Sequence, residues 1–166
     1  MTSTNDIDPL IPMTLVGAVK ETFSVQASTP LKVLGAEAIE PTPISGIDIV
    51  SAIGLRSSDF QGVLALCFPK GTFLGVVNRM LGETYSEINR ENADAAGELL
   101  NIIYASARVK LNEGGYDFLP NIPTIARGTE INISHGASSK IVRIKCQCEP
   151  GLLFLEVSLR LHQKAA

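Results

Sequence analysis

Asp94, Glu98, Asn101 and Ala105 follow one another at spacings of four, three and four within the helix-like run Asn92–Lys110. Those spacings put all four on one stripe of an α-helix. Glu98 and Asn101 then stand side by side with different chemistry. One is an anion; the other is a neutral amide that accepts and donates hydrogen bonds at once. Such a pair can dock on a cation and orient a water molecule with no metal, thiol or histidine of its own. Any amphipathic helix carries polar residues on its outer face, and most of them serve solvation alone. Two details set this stripe apart. Asn is a poorer helix former than Lys, Glu or Gln at an exposed interior position. Ala105 leaves a flat place where another backbone could approach.

With Glu98 set at zero and about 100° added per residue, Ala95, Leu99, Ile102, Ile103, Ala107 and Val109 share one broad arc. This arc is expected to face a sheet, because leaving it in water forfeits ~25 cal/mol per Å² of apolar burial. Ser106 lies within it, and its hydroxyl can bond back to a carbonyl one turn earlier. Asp94, Asn101, Ala105, Arg108 and Asn112 fall opposite. The map therefore aims Asn101 outward and puts Glu98 near the rim of the exposed face.

The elements that must position this helix are marked by periodicity and turn residues. Leu15, Val16, Val19 and Phe23 recur at helical spacing, so a helix is expected over Leu10–Val25, with Pro12 in its first turn and Ser28-Thr29-Pro30 ending it. Strands are expected near Lys32–Ile39 and Ile44–Arg56, around a Pro41-Thr42-Pro43 turn. Gln61–Phe68 is apolar on both faces, which predicts a central buried strand in a hairpin with the one before it. Phe73, Val76, Val77 and Met80 mark a short helix, Thr72–Leu81, closed by Gly82. The long helix runs from Glu91 to near Asn112 and stops at Glu113-Gly114-Gly115.

Asp117–Ala126 contains two prolines and is expected to be irregular or an edge segment. Thr129–Ser134 is expected to be a strand and His135–Ser139 a loop. Lys140–Cys148 and Leu152–Leu161 form a second hairpin about Glu149-Pro150-Gly151. This order predicts an α+β fold: a mostly antiparallel sheet packed by an N-terminal helix and two central helices. Residues 1–9 are expected to be a flexible N-terminus and residues 10–166 a single domain.

Composition narrows the function classes. The 166 residues are 45% apolar and 19% charged, enough to build a core and too apolar for a disordered chain. Net charge is −3 and no basic block occurs, which argues against a nucleic-acid partner. No apolar stretch approaches the ~18 residues that span a bilayer. The polar start lacks the basic and apolar regions of a signal peptide, so neither membrane insertion nor secretion is expected. Cys67, Cys146 and Cys148 make an odd count, which points to reduced thiols in the cytoplasm.

Other candidate chemistry is weak. Cys146 and Cys148 alternate on a strand and face one side, but no second pair exists and neither His135 nor His162 has metal-ligand spacing to them. Core packing is the expectation for all three thiols, and no metal site is assigned. No nucleophile-and-base set can be assembled around either histidine from sequence. Gly71-x-x-x-Gly75 lacks the Lys-Ser/Thr of a phosphate loop.

At the opening stripe the chain resembles the CheC/CheX/FliY family of chemotaxis phosphatases, whose helix carries D/S-x-x-x-E-x-x-N-x-x-x-G. Here the string is Asp94-x-x-x-Glu98-x-x-Asn101-x-x-x-Ala105. The one departure is Ala105 for glycine, the next smallest residue. Gly62–Glu83 resembles the strand, proline turn and helix before the family's catalytic helix, and Gly151–Leu161 its closing strand. The first helix has Glu21 followed by Ser24 and no second E-x-x-N, so one site per chain resembles CheX rather than CheC.

The resemblance implies a CheC/CheX-like fold and a homodimer joined by sheet edges. It also implies a phosphatase that hydrolyses the aspartyl phosphate of a CheY-type response regulator. Asn101 would orient the attacking water, Glu98 would pair with a lysine beside the regulator's phosphorylation site, and Asp94 and Ala105 would shape the contact. No cofactor is expected on this chain, since Mg²⁺ would belong to the regulator's acidic pocket. The alternative is a non-catalytic module of the same fold that binds a regulator or a flagellar switch component.

Overall fold

The structure, a computed structural model, describes residues 8–43, 45–136 and 140–162. The elements are α1 (Leu10–Ala27), β1 (Lys32–Ile39), β2 (Ile49–Arg56), β3 (Phe60–Phe68), α2 (Lys70–Leu81), α3 (Arg90–Glu113), β4 (Thr124–Arg127), β5 (Lys140–Cys148) and β6 (Gly151–Leu161). Most of the expected flexible N-terminus, the expected strand start at Ile44 and loop residues 137–139 lie outside the described residues.

The six strands form one sheet in the order β1-β5-β6-β3-β2-β4, every neighbouring pair antiparallel. β3 is central, as its two apolar faces require. One sheet face carries Ile49, Ile53, Leu64, Leu66, Phe68 and Leu155, and the three helices bury it. Phe68 anchors this layer, stacked on Phe23 of α1 at 6.2 Å between ring centroids and edge-on to Phe73 of α2 at 5.4 Å. The opposite face carries a smaller cluster of Ile47, Val50, Ala65 and Cys67, against which Ile131 and Ile133 pack.

Two expectations are corrected, and a third, for the proline-rich stretch, is met. Thr129–Ser134 is not a strand; it is irregular chain laid over the second sheet face. Its alternating isoleucines pack side chains without pairing backbone. β2 starts at Ile49 rather than Ile44, because a turn at Ser45-Gly46 precedes it and Gly46 has φ +78°. The proline-rich stretch ends in a true edge strand, β4, paired with β2 from Ile49↔Arg127 to Ala52↔Thr124. Pro120 and Pro123 precede its first residue, where missing N–H groups cost no ladder bonds.

Candidate functional site

α3 carries the stripe and is clamped at both ends by asparagine amides. At its start, Asn89 Oδ1 accepts from the Asn92 N–H at 2.9 Å, and Asn92 Oδ1 accepts from the Asn89 N–H at 2.9 Å. This reciprocal cap satisfies two donors that helix geometry leaves open. Asn92 Nδ2 also donates to the Glu87 carbonyl at 2.8 Å. Asn78 of α2 holds the same connection through the Tyr85 N–H (2.8 Å) and carbonyl (3.0 Å). At the other end, Asn112 bonds both backbone groups of Phe118, at 2.8 and 3.0 Å. The helix is thereby fixed in rotation as well as in place.

Asp94, Glu98, Asn101 and Ala105 are all exposed on one face of α3. Glu98 and Asn101 form no hydrogen bond or ion pair with any described residue. The buried side of α3 includes Ala96, Leu99, Leu100, Ile103, Ala107 and Leu111. That side is rotated from the angular map, and two expectations change with it. Glu98 lies well inside the exposed arc rather than at its rim, and Val109 is 52% exposed instead of buried. The reason is that α3 packs against α1 as well as the sheet, so Leu100, Tyr104 and Leu111 are also covered. The rotation improves the stripe as a contact face, since Glu98 and Asn101 both lie within the exposed arc.

The chain after α3 forms one flank of the stripe. Tyr104 Oη donates to the Leu119 carbonyl at 2.5 Å, and the Leu119 N–H donates to the Arg56 carbonyl at 2.8 Å. Further along, a Cβ on Gly97 would meet Ile125 Cδ1 at 2.9 Å and Pro123 at 4.0 Å, so glycine is what lets this segment lie close to the helix. The segment passes from the level of Tyr104 to that of Gly97, with Asn101 between them on the adjoining face. Burial pushes the Tyr104 phenol above its usual value, and the Arg108 charge offsets part of that.

The remaining reactive side chains lie elsewhere. Cys146 and Cys148 are buried in the helix-side core and Cys67 on the other face, all three as free thiols. Burial pushes Cys146 up to about 11 and Cys67 still higher, so neither is a nucleophile at neutral pH. Among the described residues no group of three or more His, Cys, Asp or Glu side chains is placed to hold a metal ion. No described helix is long and apolar enough to cross a membrane.

One cluster escaped the sequence reading. His135 is buried with Nδ1 2.5 Å from Ser158 Oγ and Nε2 3.1 Å from Glu156 Oε1, and Arg143 reaches Glu156 Oε2 at 3.4 Å. The residue types are those of a nucleophile, base and acid. Ser158 is fully buried, however, so no substrate can meet its hydroxyl. The cluster pins residues 131–135 to the sheet. The signal for it was Glu156-x-Ser158-x-Arg160, three polar residues on one face of a final strand whose other positions from Leu152 on are apolar. A cavity of about 190 Å³ adjoins it, lined partly by Ile47, Cys67, Ile131 and Glu156, on the sheet face away from the helices.

The arrangement on α3 is thus a surface site. It can contact a partner that brings its own reactive group, and it offers one carboxylate and one amide at a fixed spacing. The family described as chemotaxis phosphatase CheX matches residues 49–147, a span that contains α3 whole. No curated protein matches the chain in sequence. Solved structures do match in fold. A CheC-like superfamily protein from Shewanella sp. PV-4 is 21% identical, covering 93% of this chain and 99% of its own, with a TM-score of 0.83. The chemotaxis protein CheX from Desulfovibrio desulfuricans is 26% identical over 92% of this chain and 99% of its own, with a TM-score of 0.80. A chain of the CheX–CheY–BeF3–Mg²⁺ complex from Borrelia burgdorferi is 20% identical over 93% and 99%, with a TM-score of 0.69.

Proposed function

We propose, from the fact that this chain belongs to the CheX family of chemotaxis phosphatases, that it hydrolyses the aspartyl phosphate of a CheY-type response regulator. The observation that carries the reading is the pairing of Glu98 and Asn101. Both are exposed, both are uncommitted to other described residues, and both stand on a helix locked at its two ends.

An acyl phosphate needs little help with its leaving group. The departing aspartate carboxylate has an ordinary pKa of about 3.9 and leaves without a general acid. What speeds hydrolysis is a water held in line with the breaking P–O bond. Asn101 Oδ1 accepts one water proton as a hydrogen bond and aims the oxygen lone pair at phosphorus. Its Nδ2 donates to a phosphoryl oxygen. An amide does not take up a proton at neutral pH, so the contribution is positioning, as with the water-orienting glutamine of GTPases. The water oxygen bonds to phosphorus, the bond to the aspartyl oxygen breaks, and inorganic phosphate leaves.

Glu98 docks a lysine beside the phosphorylation site. A partly desolvated pair of this kind contributes about 1.5–3 kcal/mol. Asp94 extends the acidic end of the stripe, and Ala105 keeps its centre flat. The Mg²⁺ belongs to the regulator's own acidic pocket. A regulator of this kind would place the reaction in the cytoplasm. β1 and β4 each leave one edge unpaired among the described residues, which supports a homodimer joined through sheet edges.

Ala105 in place of glycine is the observation that favours the second reading, a non-catalytic module that only binds its partner. Phosphate release separates the two. The wild-type protein, added to acetyl-phosphate-labelled CheY-type receiver domains, is expected to accelerate phosphate release from at least one. Binding to such a domain without acceleration would leave the second reading standing and remove the first.

A further inference from the structure

Arg108 stands seven residues past Asn101 on α3, about two helical turns further along the same line. Asp94, Glu98, Asn101, Ala105 and Arg108 thus follow one another at spacings of four, three, four and three. A stripe that opens on two carboxylates closes on a cation. Arg108 is half-buried and forms no hydrogen bond or ion pair with any described residue.

The helix gives this charge no work of its own. The residues three and four positions away are Tyr104, Ala105, Leu111 and Asn112; none is acidic, so no ion pair along the helix holds it. The helix dipole acts within the last turn, where Lys110 already stands, and Arg108 lies before that turn. Several other basic side chains are occupied: Lys110 pairs with Glu21 at 3.4 Å, Lys70 with Glu87 at 2.6 Å and Arg79 with Glu149 at 3.0 Å. What the Arg108 charge does act on is the Tyr104 phenol, one turn earlier. That is the direction in which helical side chains lean, which carries the guanidinium from its own Cα toward the level of Ala105. The face is therefore electrically polar along its length: acidic at Asp94 and Glu98, neutral at Asn101 and Ala105, basic at Arg108.

Resting on the phosphatase reading above, we propose that Arg108 is a second docking residue: it pairs with a surface carboxylate of the receiver domain and, opposite in sign to Glu98, fixes the direction in which the receiver lies along α3. The occupant is the receiver because Arg108 continues the line of side chains that must meet the aspartyl phosphate, with only the small Ala105 between it and Asn101. A single Glu98–lysine pair leaves the receiver free to swivel about one point. A second pair of opposite sign, about 15 Å along the axis from the first, removes that freedom. Docking in the reverse direction sets like charges against each other. A water held in line with the breaking bond needs that one direction.

The test uses the full chain with a panel of CheY-type receiver domains. Each is presented as its beryllofluoride–Mg²⁺ form for binding and as its phosphorylated form for turnover, at low salt and at 0.5 M NaCl. Arg108→Gln keeps the length of the stem and is expected to melt like wild type. At low salt it should raise Kd and KM about fivefold with kcat unchanged. The difference should shrink at high salt, where charge pairs are screened. Arg108→Lys should recover most of the loss, and Arg108→Glu should bind more weakly than Arg108→Gln. Reversing one receiver carboxylate to lysine should restore binding to Arg108→Glu. Wild-type Kd and KM in Arg108→Gln at low salt, or a loss of kcat alone, overturns the docking role and leaves the phosphatase reading intact. Binding without phosphate release removes the phosphatase reading while Kd still judges Arg108. A wild-type protein that neither binds nor turns over any domain overturns both.

Discussion

Ala105 offers a perturbation in which stability and function should move in opposite directions. It is exposed on α3, eight residues before the helix ends at Glu113, and it lies four residues past Asn101 on the same face. Glycine there restores the family pattern but is about 1 kcal/mol worse than alanine in an exposed helix interior. For a chain of this size that lowers Tm by roughly 2–4 °C. Leucine is nearly as good a helix former as alanine, so Ala105→Leu should melt within about 1 °C of wild type. On the stripe the order reverses. Glycine leaves the surface as flat or flatter, so kcat/KM for a phosphorylated receiver is unchanged or higher. Leucine adds three carbons where the partner's backbone must approach. A displacement of even 1 Å can reduce turnover on the order of 100-fold. Thermal melts and phosphate-release kinetics on the three proteins give both orders. Wild-type kcat/KM in Ala105→Leu would mean that the partner does not approach this face, and the reasoning about the stripe would fail.

Other perturbations test the frame around the site. Gly62→Ala should abolish folding or lower Tm by at least 6 °C or so, since its Cβ would lie 1.8 Å from the Ser158 carbonyl oxygen on the neighbouring central strand; a normal melt would contradict the β3–β6 approach. Tyr104→Phe removes the bond to Leu119 and should cost about 1 kcal/mol in a denaturant melt at pH 7. Because burial raises the Tyr104 phenol, the bond's contribution is full below pH ~10, the unfolded value, and is lost as pH rises through the native one. The difference between wild type and Tyr104→Phe should therefore shrink above pH ~10 and stay constant from pH 6 to 9. The three buried thiols should resist alkylation at pH 8 in the folded protein and react together on unfolding; prompt labelling of Cys146 would contradict its place in the core.

Much of this architecture was legible because its elements carry period. Lys32–Ile39 and Lys140–Cys148 match the observed strands residue for residue, and Gly82 ends α2 as its lack of a Cβ suggests. The failures have physical causes. Ile131 and Ile133 alternate as a strand would, but they cover a sheet face without joining it, and alternation reports burial rather than pairing. The angular map of α3 assumed one partner. The helix has two, α1 and the sheet, so its buried arc is wider and turned, which freed Val109 and moved Glu98 outward. The Asn89–Asn92 cap was missed because its second member is asparagine, one methylene shorter than the usual glutamine or glutamate. At the site, helical spacing alone put Asp94, Glu98, Asn101 and Ala105 on one stripe. The return of the chain from Leu119 to Ile125 alongside α3 was invisible, because it depends on contacts at Tyr104 and Gly97 with a distant segment. His135, Glu156 and Ser158 were likewise separated in sequence and joined only by the fold.

The central claim is that Asn101 places the water and Glu98 holds the partner, two jobs on neighbouring residues. Single-turnover phosphate release from a phosphorylated receiver domain, measured over a range of phosphatase concentrations, tests it most directly. Asn101→Ala should melt no lower than wild type, since alanine is the better helix former. It should saturate at the wild-type concentration with a maximal rate reduced on the order of 100-fold or more. Glu98→Ala should approach the wild-type maximal rate but need about tenfold or more protein to reach it. A maximal rate in Asn101→Ala equal to wild type would contradict the account.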